Sequence, residues 1–168
     1  MISVCTTTTA TDDFQFVVDK AIKATGQTQN FCNYDGDIVC YSVAYDNNVP
    51  VWCSVAQHRN FYKPGVVGLF RKLYSEISVP AKETNQYSEL ALQQQWKHCI
   101  AAGYTTGFFS TQKDVRKFFA HQTKRWERIT NAKWYFDSKK YRVCNGDESC
   151  NQYVAWCNAT YCPFDLVV

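Results

Sequence analysis

The chain has 168 residues, 46% apolar and 20% charged, which excludes a disordered polar chain and fits one packed domain over 1–168. Its net charge of +3 is too small to imply a nucleic-acid partner by itself. No apolar run reaches the ~20 residues a membrane span needs, so no membrane partner is expected.

The first stretch, MISVCTTTTATDDF, has neither the basic nor the apolar segment of a signal peptide, so a cytoplasmic location is expected. Residues 11–25, TDDFQFVVDKAIKAT, predict an amphipathic helix. Thr11 or Asp12 caps it, and Phe14, Val17, Val18, Ala21 and Ile22 share one stripe. That stripe suits either the chain's own core or an arm docked on a neighbour. Residues 37–45 and 49–56 are β-branched and aromatic around the turn residues DNN, which predicts a hairpin. After the KPG break, Val66, Phe70, Leu73 and Ile77 give a helical spacing that ends before Pro80. Residues 88–103 predict a second helix, capped by Ser88, with Leu92, Trp96, Cys99 and Ile100 on one side; YTTGFFS after it reads as extended. Residues 114–120 predict a short helix, and 134–136 and 141–144 two strands around DSKK.

Charge is unevenly spread. Residues 1–58 carry net −4, 59–142 net +10, and 143–168 net −3. Residues 107–129, GFFSTQKDVRKFFAHQTKRWERI, interleave rings with bases as a single-strand nucleic-acid groove does. The same stretch also reads as a helix with Val115, Phe118 and Phe119 inward and Arg116 and Lys117 in solvent.

No glycine-rich phosphate loop and no H-E-x-x-H motif is present. Nine cysteines leave at least one unpaired within the chain. Cys144, Cys150, Cys157 and Cys162 are too widely spaced for an ordinary zinc site, so no metal is expected. They are the candidates for disulfides, with reduced buried thiols as the alternative. Nothing local couples His58, His98 or His121 to a cysteine nucleophile.

Two blocks resemble cypovirus polyhedrins. One is GDIVCYSVAYDNNVPVWCSVAQHRNFYKPGVVGLFRKLYSE (36–76), a strand hairpin followed by YK, a glycine and a helix; the other is DVRKFF (114–119) followed by RWERI. The resemblance implies a short, cysteine-rich, divergent member of that family. Its fold would be α+β, an antiparallel β-sandwich flanked by helices with an N-terminal helix arm. Its role would be non-enzymatic: an occlusion-body matrix protein whose homotrimers pack into crystals in the host-cell cytoplasm and embed virus particles. Phe14, Val17, Val18 and Ile22 would then make lattice contacts. No cofactor is required, although the family binds nucleotides at lattice interfaces, for which Arg116 and Lys117 are the candidates here. Tyr41, Tyr45, Tyr62, Tyr74, Tyr141, Tyr153 and Tyr161 would form an alkaline release switch, since buried tyrosines ionise only at high pH. The alternative is a small cytosolic RNA-binding or host-interaction protein using the basic segment 59–142.

Overall fold

A computed structural model describes residues 1–25, 38–58, 66–75, 81–111, 116–142, 151–157 and 164–167, with 24–25, 66–75, 81–85, 111 and 116–121 described by their backbone alone. In chain order the elements are β1 (Ile2–Thr7), α1 (Asp12–Thr25), β2 (Ile38–Asp46), β3 (Val49–His58), β4 (Val66–Ser75), α2 (Ala81–Ala101), β5 (Thr106–Thr111), α3 (Arg116–Thr130), β6 (Trp134–Arg142), β7 (Asn151–Cys157) and β8 (Asp165–Leu166). The mixed α+β class holds. The described strands form one sheet in the order β1-β2-β3-β4-β5-β7-β6-β8, where a two-sheet sandwich was expected.

Local chemistry explains the first half. Thr11 Oγ1 accepts from the Phe14 amide at 3.2 Å and caps α1. Asn47 and Asn48 take φ of 50° and 70°, the left-handed pair a tight hairpin turn requires, and so close β2 onto β3. Alternation along β2 and β3 then sorts two faces. Val43, Cys53 and Val55 meet Phe14, Val17, Val18 and Ala21 of α1, with Ile22 partly buried beside them. Ala44, Val51 and Trp52 meet Tyr87 and Ala91 of α2. The α1 stripe therefore packs on its own sheet. Phe14, Val17 and Val18 are no more than 3% exposed, which leaves them no surface for the lattice role the resemblance implied. Nor is α1 a free arm, because β1 precedes it and pairs with β2.

Four further expectations change. Residues 66–75 form a strand, although Val66, Phe70 and Leu73 fit a helical spacing. The segment is rich in strand formers, and it lies between β3 and β5, whose backbone groups need partners on that side. Helix α2 starts before Ser88, directly after Pro80, which is tolerated at a helix start. Ser88 is not its cap: its hydroxyl accepts from Arg125. Ile100 lies off the apolar stripe and is 51% exposed, whereas Leu92, Trp96 and Cys99 are buried.

The two strands expected around DSKK are one strand, β6, with a register shift between Phe136 and Lys140. Asp137 makes that irregularity by accepting from the Lys139 amide at 2.8 Å and from the Tyr141 hydroxyl. The short helix expected at 114–120 is the longer α3, which buries Trp126 and Ile129 against Phe109 and Trp134.

Candidate functional site

Among the described strands one junction is parallel, and it is short. Strands β4 and β5 pair only at Val66↔Thr106, Val67↔Gly107 and Gly68↔Phe108. Beyond that point β4 continues to Ser75, held by β3 alone, and β5 continues to Thr111, held by β7. Among the described pairings, the β5-facing edge of β4 after Gly68 therefore has no strand opposite it. An unpaired strand edge offers its amides and carbonyls to a partner, so the two strands flank a wedge suited to an extended, amide-bearing guest. Helix α2 follows β4 and α3 follows β5, so both N-termini lie at the end where the wedge opens. Crevices at the carboxyl ends of parallel strands, with helix N-termini nearby, favour ligands and anions.

Helix α2 roofs the β4 side. Gln95, fully buried, donates through Nε2 to Ser54 Oγ at 2.5 Å, and Ser54 sits opposite Lys72 of β4. The Gln95 Oε1 acceptor and the Trp52 Nε1 donor are buried and find no partner among the described residues. Trp52 lies opposite Ser75 of β4. The layer beside β4 thus holds one unmatched acceptor and one unmatched donor, the pair that an amide would complement.

The helices meet in a charged seam. Arg125 of α3 donates to Ser88 and lies 3.6 Å from Glu89 of α2, and Arg128 also donates to Glu89. Burial draws the Arg125 guanidinium below its ordinary value, and Glu89 opposes that shift. At the closed end of the wedge, His58 of β3 stands opposite Val67. The His58 Nδ1 and the Tyr104 hydroxyl lie 2.8 Å apart, with both residues partly exposed.

The other predicted site residues scatter. Tyr41 stacks edge-on to Phe14 at 5.0 Å, and Tyr45 donates to Asp13 of α1 at 2.7 Å. Burial, then the Asp13 hydrogen bond, push the Tyr45 phenol above its usual range. Tyr141 is buried and bonded to Asp137, while the Lys140 ammonium lies over the ring of Tyr153 at 5.5 Å. These tyrosines serve separate intramolecular contacts. Tyr62, Tyr161, Cys144, Cys150 and Cys162 lie outside the described residues, as do the side chains of Tyr74, Arg116 and Lys117. Cys157 is a free thiol in the core, pushed up to about 12 by burial.

Solved structures share this architecture. An acetyltransferase from Bacillus subtilis in complex with CoA aligns with a TM-score of 0.58 at 10% identity, covering 95% of this chain and 99% of that one. The ribosomal-protein-S18-alanine N-acetyltransferase from Escherichia coli aligns at 0.57 and 8% identity, covering 95% and 97%. A GNAT-family protein from Desulfovibrio desulfuricans aligns at 0.56 and 12% identity, covering 93% and 98%. No protein-family description matches the sequence, and no curated protein does.

The fold is GNAT-like, and this overturns the polyhedrin resemblance. The occlusion-body role, the trimer lattice with virus particles as partners and the non-enzymatic expectation fall with it, since the neighbours are acetyltransferases. The RNA-binding alternative falls on the same likeness. The basic segment that suggested it is dispersed over β4, α2, β5, α3 and β6, and Arg125 and Arg128 are engaged by Glu89. The expectation that no cofactor is needed is weakened by a neighbour solved with CoA. The wedge itself was not foreseen. Reading 66–75 as a strand would have exposed a β4-α2-β5 crossover, the signal that leads to it.

Proposed function

We propose that this chain is an acyltransferase that moves an acyl group from a coenzyme A thioester to an amine, with the donor lying in the wedge between β4 and β5. The observation that carries this reading is the parallel ladder that stops at Gly68 and Phe108 while both strands continue. The β4 edge that meets no described strand after Gly68 fits the amide-bearing arm of coenzyme A, and the unmatched Trp52 and Gln95 atoms lie in the layer beside it. The β4-α2 connection, 76–80, contains no glycine, so a glycine-rich phosphate cradle is not encoded there. Phosphates would instead meet the first turn of α2, which carries Lys82.

In the transfer, the neutral amine attacks the thioester carbonyl carbon. A C–N bond forms, the C–S bond breaks, and the amine's surplus proton must leave while the departing thiolate takes one up. His58, bonded to Tyr104 at the closed end of the wedge, is our candidate among the described residues to accept the amine proton.

The test has two parts. Free coenzyme A at about 1 mM should raise the melting temperature. Acetyl-CoA with a panel of primary amines and amino-terminal peptides should yield coenzyme A and an N-acetyl product identified by mass. No thermal shift together with no acetylated product across the panel overturns the reading.

A further inference from the structure

The core holds two cysteines in contact that acyl transfer does not use. Cys40 lies on β2 opposite Ala56, and Cys99 lies near the end of α2. Both are fully buried in one cluster with Leu92, Trp96 and Phe109. Their thiols lie close enough across the packing of α2 on β2 for each to shift the other's ionisation, Cys40 downward and Cys99 upward. Among the described residues no group of three metal-ligating side chains exists, so metal binding does not account for the pair.

We infer that Cys40 and Cys99 are an oxidation site, at which a small peroxide converts the two thiols into an intrachain disulfide that ties α2 to β2. Either sulfur can react first; the steps are written for Cys40, whose thiol the Cys99 contact draws below the usual thiol range. Its sulfur attacks one peroxide oxygen, the O–O bond breaks, and one water leaves a sulfenic acid behind. The Cys99 sulfur then attacks the Cys40 sulfur, the S–S bond forms and a second water leaves. The two thiols lose two hydrogens and two electrons, and the peroxide is reduced to two waters.

Access comes from the helix end. Cys99 lies in the last turn of α2, its carbonyl accepts the cap bonds from Ala102 and Tyr104, and the chain reverses at Gly103 with φ of 99°. Terminal turns open more readily than helix interiors. The other described thiols are placed differently. Cys53 faces α1 on the opposite side of the sheet, and Cys5 is exposed on the edge strand β1. Cys157 shares the cluster, but its thiol is bonded to the main chain at Gly107 and held protonated by burial.

The inference does not depend on the acyltransferase reading, and its test needs no substrate. Reduced protein is treated with hydrogen peroxide, alkylated and digested with chymotrypsin, which separates peptides 35–41 and 97–104 from the other cysteines. The expected result is a linked 35–41/97–104 pair, lighter by two hydrogen atoms, and a melting temperature roughly 5–15 °C higher that dithiothreitol reverses. In Cys99→Ser the linked peptide is absent and Cys40 advances to the sulfinic acid. Cys40 and Cys99 both alkylated while Cys5 is oxidised, or Cys40 linked to any other cysteine, overturns the inference. Mapping the wild-type chain decides this even where the variant folds poorly.

Discussion

The two halves of the sheet are built on different principles. Strands β1 to β4 lie side by side in chain order, all antiparallel, with α1 and α2 on opposite faces. Their core is mostly valine, alanine, cysteine and serine. Strands β5, β7, β6 and β8 are out of order, and their core is aromatic. On one face Phe109, Trp126 and Trp134 pack with ring centroids 5.1–5.5 Å apart. On the other, Phe164 meets Phe108 edge-on at 4.6 Å, and Trp156 meets Tyr141 in the same manner. The first half gains its order from local turns, and the second from large rings that must find one another across the chain. The wedge exists because the halves join through only three residue pairs.

The sharpest test of that contrast is truncation. Trp134 is 2% exposed, and its Nε1 donates to Thr130 Oγ1 at 2.8 Å. Trp134→Ala should cost about 3–5 kcal/mol by denaturant unfolding, and Val55→Ala on the first half about 1–3 kcal/mol. Equal costs would erase the distinction.

Alkali should also separate the halves. The Cys157 thiol, ordinarily near 9.0, is raised to about 12 by burial on β7. The folded state binds this proton more tightly than the unfolded chain does. Its contribution is therefore complete below about pH 9 and is lost as pH climbs towards 12, amounting to roughly 4 kcal/mol at the top. Tyr45 on β2 is raised in the same direction but is only partly buried, so its share is smaller. Unfolding midpoints measured from pH 8 to 11 should fall more steeply in wild type than in Cys157→Ala. Parallel curves would remove Cys157 as the cause.

At the junction, His58→Asn should lower kcat by about 10²-fold with little change in KM. An unaltered kcat would leave His58 a structural residue. The smallest effect is expected at the seam between the helices. Glu89→Gln removes the acid shared by Arg125 and Arg128, and with Arg125 largely buried the loss should be about 1–3 kcal/mol. A neutral result would mean that Ser88 and water suffice to hold α3 on α2.

Much of the first half was legible because its signals are local. Thr11 caps α1 where capping chemistry predicts, the α1 stripe is buried as its period requires, and Asn47-Asn48 closes a hairpin. The second half was less so. A strand such as β4 can carry helical spacing, and a turn-like DSKK can sit inside β6 as a bulge, because pairing with distant strands outweighs local preference. The candidate site left no motif to read. Its edge is made of backbone, and main-chain groups carry no sequence signature.

The sequence by itself determined the mixed α+β class, the α1 stripe and the β2-β3 hairpin, since periodicity and turn chemistry act over a few residues. Only the tertiary structure decided that β4 and β5 run parallel and part after Gly68, that Cys40 and Cys99 share one buried cluster, and that α2 covers the β4 side. These depend on contacts between residues far apart in the chain, whose free energy no local window contains.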